Sequence, residues 1–217
     1  MRFEDLTFAY GEKTIFSRFS LSLPDQSITA VLGDSGVGKT TLLHLMAGLL
    51  TPAQGIVPEA RVSYMFQEPR LLPTRSVLRN LTVLPGVDEP TARHWLTAVG
   101  LADSMDLLPH QLSGGMAQRV SMARAFATPS DVLLMDEPFK GLDVSLQARL
   151  HEVFMSLWRD TLRTTVLVTH DPDEAVAVAH HVVVLRHTPA EVVYAADVTE
   201  ATRQEVRGAV RAALLAE

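Results

Sequence analysis

An apolar run, Ile28 to Leu32, passes without a break into Gly33-Asp34-Ser35-Gly36-Val37-Gly38-Lys39-Thr40, and a helical pattern opens at its far end. A strand that feeds a G-x-x-x-x-G-K-T loop and then a helix confines the chain to α/β architectures in which curled backbone wraps an anion. Gly33, Gly36 and Gly38 let successive N–H groups turn inward. Lys39 adds a mobile positive charge suited to β- and γ-phosphates, and Thr40 offers a hydroxyl suited to Mg²⁺. The start of the helix contributes its own partial positive charge.

At 217 residues the chain can bury one substantial α/β core, as one domain or as a core with a subdomain. A formal charge of -6 gives no basic balance pointing to nucleic acid. With no cysteine there are no disulfides and no thiolate metal sites, which suits a reducing cytosol. Met1-Arg2-Phe3-Glu4-Asp5 is acidic and lacks the apolar segment of a signal peptide. No stretch is long and apolar enough to span a membrane, so membrane association is expected through another protein.

Short β-like runs fall at Ser27 to Leu32, Arg61 to Phe66, Asp131 to Met135, Thr164 to Thr169 and His181 to Leu185. Most are continuously apolar, as parallel strands covered on both faces are. Between the second and third lies Pro69 to Thr128, with helical periodicity and no convincing strand, which reads as a helical insertion. The first twenty-odd residues alternate (Phe3, Leu6, Phe8, then Phe16, Phe19, Leu21, Leu23), as a small antiparallel sheet with one wet face would, its turn at Ala9 to Lys13. After Thr199, read as an N-cap, Val206, Val210 and Leu214 recur at helical spacing. The expected fold is therefore α/β: a P-loop NTPase core with a mostly parallel sheet, a small N-terminal antiparallel β subdomain and an inserted α-helical subdomain. It is read as a single domain over 1–217, with a RecA-like core and β subdomain (1–68 and 129–217) and the helical subdomain at 69–128.

Polar groups close four of the strands. The first ends in the phosphate loop, the second in Gln67, the third in Asp136-Glu137 and the fourth in His170. In a parallel sheet these ends share one edge, where ligands of open α/β sheets bind. Asp136, after a buried strand, suits Mg²⁺ directly or through its water shell, beside Thr40. Glu137 can orient or deprotonate an attacking water, or stand as a solvated acid opening a loop. Gln67 is neutral and cannot act as a base, but it can bind a metal water and sense the γ-phosphate, or simply bond to a loop backbone. His170 can bond a γ-phosphate oxygen or the attacking water. Tyr10, upstream of the loop, can stack on an adenine ring or close the core of the first sheet.

A second glycine-rich feature, Leu112-Ser113-Gly114-Gly115-Met116-Ala117-Gln118-Arg119, lies in the helical region. Ser113 is a natural N-cap, and the two glycines open the helix start to an anion. No lysine loop or carboxylate pair adjoins it. It reads as completing a partner's site, in a head-to-tail pair that sandwiches two nucleotides between one chain's Lys39 loop and the other's Ser113 loop.

In order along the chain these features resemble the ATP-binding subunit of ABC transporters. They are an aromatic A-loop residue (Tyr10), Walker A (Gly33, Asp34, Ser35, Gly36, Val37, Gly38, Lys39 and Thr40, with Thr41), the Q-loop (Gln67), the signature (Leu112 to Gln118), Walker B (Val132 to Asp136), Glu137, a D-loop (Gly141-Leu142-Asp143) and the H-loop (His170). The resemblance implies ATP hydrolysis with Mg²⁺, with Glu137, His170, Gln67 and Lys39 as catalytic residues. It implies nucleotide contacts from Tyr10, the loop through Thr41, Ser113, Gly114, Gly115, Gln118 and Asp143, and metal contacts from Thr40, Gln67 and Asp136. Its implied partners are a second ATP-binding subunit, read as another copy, transmembrane permease subunits and, indirectly, a solute-binding protein, with no nucleic acid. The implied location is peripheral, on the cytoplasmic face of the inner membrane. Phe66-Gln67-Glu68-Pro69-Arg70-Leu71-Leu72-Pro73 is similar to bacterial importers of nitrate, sulfonate and taurine. Thr74-Arg75 stands where those often carry Trp, Lys140-Gly141 where a small pair precedes Leu142-Asp143, and Asp25-Gln26-Ser27 where Pro-Gly-Glu is common. ABC ATPases of DNA repair need a coiled coil between the motifs and those of translation a tandem cassette, neither present here. A P-loop kinase or GTPase would leave Leu112 to Gly115 without a purpose. Coupling to export or lipoprotein release keeps the same ATPase.

Overall fold

The computed structural model describes residues 1–216. A hairpin opens the chain, β1 (Arg2–Tyr10) paired antiparallel to β2 (Lys13–Ser22), with the turn at Gly11-Glu12. Phe3, Leu6, Phe8, Phe16, Phe19 and Leu21 all point to one buried face. Phe3 to Leu6 is an odd spacing for a strand. Irregularities in the pairing absorb it, with Asp5 and Arg18 at φ 50° and 48°.

β3 (Ile28–Gly33) leads into α1 (Lys39–Met46); then come β4 (Gln54–Ile56) and β5 (Val62–Met65). Between β5 and β6 the regular elements among the described residues are all helical, with α2 (Val77–Thr82), α3 (Glu89–Ala98) and α4 (Gly114–Ala127). β6 (Val132–Asp136), α5 (Val144–Thr161), β7 (Thr164–Val168), α6 (Pro172–Val178), β8 (His181–Arg186), β9 (Glu191–Asp197) and α7 (Arg203–Leu215) complete it. The main sheet runs β5-β6-β7-β3-β8-β9, parallel except for β9.

The apolar strands are covered on both faces, and their alternation sorts them between two cores. Ile28, Ala30, Leu32, Leu133, Met135, Leu167, Val182 and Val184 face the larger core with α4 to α7. Val31, Val132, Leu134, Val166, Val168, Val183 and Leu185 face α1 and the β1–β2 hairpin. Arg163 joins the layers by donating to the carbonyls of Phe126 (2.8 Å) and Thr128 (2.9 Å), which end α4 without helical partners.

Three features differ from the sequence reading. β4 is fully exposed and pairs with β1, so no apolar pattern announced it. β9 is a largely exposed edge strand. The last helix begins at Arg203 with Thr202 in the cap position, not at Thr199, because the Thr199 hydroxyl accepts from the Thr202 amide (3.2 Å) and closes a turn ahead of the helix.

Candidate functional site

Gly33 closes β3 at φ 149°, and a Cβ there would lie 2.3 Å from the Leu185 carbonyl oxygen on the neighbouring strand. Gly38 opens α1 at φ 116°, and a Cβ there would meet Ile15 Cγ2 at 2.6 Å. Both ends of the loop are thus pressed against backbone or core by the fold itself. No side chain caps α1, so its first N–H groups stay available to an anion. The Lys39 ammonium, buried within the curl, donates to the carbonyls of Gly33 (2.7 Å) and Asp34 (3.0 Å). Burial lowers its pKa, while Glu137 and Asp136 pull it back up.

The Thr40 hydroxyl donates to Asp136 Oδ2 at 3.0 Å, joining the first turn of α1 to the end of β6. Burial raises the Asp136 pKa against the Thr40 hydrogen bond. A hydroxyl and a carboxylate are hard oxygen donors of the kind Mg²⁺ selects. Among the described residues no group of three or more His, Cys, Asp or Glu can hold a metal by itself. This pair therefore fits Mg²⁺ that takes its other oxygens from phosphate and water.

Glu137 leaves the strand at φ 45°, and its amide donates to the Val168 carbonyl (2.9 Å). That bond extends the β6–β7 ladder by one residue and sets Glu137 beside the end of β7. His170 Nδ1 stands 3.4 Å and Lys140 Nζ 2.7 Å from Glu137 Oε2. Burial raises the Glu137 pKa, but the Lys140 ammonium and His170 together outweigh it and hold the carboxyl below its ordinary value.

A cavity of about 350 Å³ lies over the loop, lined by Tyr10, Lys13, Ile15, Ser35, Gly36, Gly38, Lys39, Thr40, Thr41 and Glu137. Tyr10 is 49% exposed at the end of β1, its ring edge-on to Phe8. Gly33, Asp34 and Val37 frame the loop without lining the cavity. Gln67 shares the sheet edge, but it is exposed, lines no part of the cavity and makes no side-chain hydrogen bond among the described residues.

The signature lies elsewhere on the surface. Ser113 caps α4 by accepting from the Met116 amide, and Ser113 and Gly114 are exposed. Gly115 packs on Leu146. Gln118 departs from its expected place among the ligand contacts: it is 5% exposed and its amide donates to the Pro138 carbonyl, since one helical turn past the cap its side chain points inward. That bond ties α4 to the residue after Glu137. Asp143 caps α5, accepting from the Leu146 amide (3.0 Å) and the Ser145 hydroxyl (2.7 Å) while exposed, and the Ser145 bond lowers its pKa. Lys13 and Ile15 of the cavity wall carried no signal in the sequence. Lys140 showed there only as an unusual residue ahead of Leu142-Asp143.

Glu174, on α6 behind His170, is 4% exposed, and among the described residues its Oε1 has no hydrogen-bond partner. Burial, with Asp171 and Glu137 adding to it, raises its pKa to about 8. The folded chain keeps this carboxyl protonated where the unfolded chain, near 4.5, ionises it. Its stabilisation is complete below the unfolded value and is lost as pH rises towards the folded one, at ~1.4 kcal/mol per unit. Glu174→Gln should therefore raise Tm at pH 8 and converge with the parent near pH 4.5. Parallel Tm–pH curves for the two proteins would exclude this account.

A strand that ends in a glycine-rich curl around Lys39 and runs straight into an uncapped helix start is a cradle for phosphates, which puts the protein among the P-loop nucleotide-binding proteins. A family model described as ABC transporter matches residues 16–140, and the chain belongs to that family. It is 47% identical over 183 residues to the aliphatic sulfonates import ATP-binding protein of Granulibacter bethesdensis, covering 82% of this chain and 76% of that one. It is 39% identical over 200 residues to the taurine import ATP-binding protein of Yersinia pestis, covering 85% and 78%. A solved dimeric bacterial ABC transporter cassette matches in fold with TM-score 0.80 at 24% identity, covering 91% of this chain and 98% of that one. A post-hydrolysis ATP-binding cassette with ADP and Pi matches with TM-score 0.78 at 23% identity over the same shares.

Proposed function

We propose that the chain is the ATP-binding and ATP-hydrolysing subunit of an ABC importer for a small sulfonate-type solute. It works as a pair of ATP-binding subunits on the cytoplasmic face of the inner membrane, as a peripheral partner of a multi-span permease fed by a solute-binding protein. The observation that carries the ATPase reading is the junction of the phosphate loop with Thr40–Asp136 and with Glu137 on one sheet edge. The import reading rests on the identities to sulfonate and taurine import subunits and on Phe66 to Pro73. Among the described residues no helix is long and apolar enough to cross a membrane.

In the proposed mechanism Lys39 exchanges the Gly33 and Asp34 carbonyls for β- and γ-phosphate oxygens, and Tyr10 stacks on the adenine. Thr40 and Asp136, with Gln67 through water, would hold Mg²⁺, which supplies charge neutralisation across the phosphates. Glu137 accepts a proton from the attacking water as its oxygen bonds to the γ-phosphorus and the bond to the β-phosphate oxygen breaks, giving ADP and phosphate. His170 orients the γ-phosphate, and Ser113 and Gly114 of a second subunit close the far side.

Mild extraction of the tagged chain from the membranes of its host should retain a multi-span permease, identified by mass spectrometry. A stable soluble partner with no membrane protein would replace the transport reading with a non-transport ATPase.

A further inference from the structure

Lys140 stands outside every role described above, yet its ammonium lies 2.7 Å from Glu137 Oε2, the oxygen that His170 Nδ1 also approaches at 3.4 Å. The two carboxylate oxygens of Glu137 are not equivalent. Oε2 is buried, in ionic contact with the Lys140 ammonium and beside the His170 ring, with no hydrogen bond among the described residues, whereas neither contact is made to Oε1, and the side chain lines the nucleotide cavity. The backbone allows Glu137 little choice, since its amide is fixed on the Val168 carbonyl and Lys140 closes the turn by donating its own amide to the Glu137 carbonyl (3.2 Å). The side-chain torsions remain, and they decide which way each carboxylate oxygen faces. The partner that fixes them is Lys140, because His170 is farther away and more than half exposed.

We propose that Lys140 is a positioning residue for the hydrolytic step: it anchors Oε2 of Glu137 so that Oε1 faces the water attacking the terminal phosphate. The inference rests on the reading of Glu137 as the base. It gives Lys140 a role that needs no contact with nucleotide.

The test uses the full chain and steady-state hydrolysis of Mg·ATP. Lys140→Met keeps the length of the side chain and removes the charge. It should lower kcat about tenfold with KM for ATP unchanged, a modest misorientation on the scale of the ~10²-fold that a 1 Å displacement brings. Lys140→Arg should restore most of the rate, which a merely space-filling role would not require. In a Glu137→Gln background, Lys140→Met should change the residual rate by less than about twofold, because it acts through Glu137. An unchanged kcat in Lys140→Met overturns the inference, as does a tenfold loss that persists in the Glu137→Gln background, which would assign Lys140 to the phosphate instead. Robust hydrolysis by Glu137→Gln alone would mean that the base reading itself is wrong.

Discussion

Glu137→Gln is expected to lower ATP hydrolysis by about three orders of magnitude, within the 10²–10⁴-fold range of general base catalysis, while ATP affinity stays within about twofold. The argument is one of shape against charge. Glutamine keeps the outline of the side chain and leaves the bond from its amide to the Val168 carbonyl intact, so the end of β6 does not move. Lys140 loses a charged partner but is about half exposed, so little stability is at stake, ~1 kcal/mol or less. What disappears is the capacity to take a proton. None of the groups that grip phosphate is touched: Lys39, the uncapped start of α1 and the Thr40–Asp136 pair all remain. Single-turnover phosphate release, alongside titration with a fluorescent ATP analogue, separates the two effects. Hydrolysis within tenfold of the parent would return Glu137 to the role of a loop acid, and a parallel loss of binding would mean that its charge serves the nucleotide rather than the water.

The parts of this site legible in the sequence are those that local pattern dictates. Continuous apolar runs gave the strands, and the residues ending them gave Lys39, Thr40, Asp136, Glu137 and His170, because a parallel sheet gathers its carboxyl ends whatever else the chain does. Gln67 shows the limit of that logic. It shares the edge, yet β5 lies beyond β6 on the side of the sheet away from the loop on β3, so the side chain stands off the cavity. What pattern cannot carry is a contact made across the fold by a residue with no periodic signature. Gln118 looks like part of an exposed glycine-rich helix start, and only the packing of α4 on the Pro138 segment turns it inward. β4 holds on to β1 by backbone alone. Lys140 drew notice in the sequence as an oddity of composition, and its meaning depends on a carboxylate three residues back that a left-handed turn brings under it.

The same Glu137→Gln protein, saturated with Mg·ATP, is expected to run at twice its nucleotide-free mass in light scattering, and adding Ser113→Arg is expected to return it to a monomer that still binds ATP. The reason is an unfinished wall. Every residue lining the cavity comes from the β1–β2 hairpin, the phosphate loop with its helix, or Glu137. The other helix start suited to phosphate, at Ser113 and Gly114, lies exposed outside that cavity on the same chain, and among the described residues none from that helix lines the cavity. A head-to-tail copy supplies that helix start, and ATP becomes the adhesive between the two. Arginine at 113 brings a long side chain where backbone must approach phosphate. It also removes the cap that accepts from the Met116 amide, at ~1 kcal/mol, and adds positive charge to a helix N-terminus, at ~0.3–1 kcal/mol. These local costs are too small to unfold a domain anchored at the other end of α4 by Arg163, so loss of pairing with retained ATP affinity and an unchanged circular dichroism spectrum isolates the interface. A doubled mass that survives Ser113→Arg would move the contact to another face, and a Glu137→Gln chain that stays monomeric with ATP bound would remove the sandwich altogether.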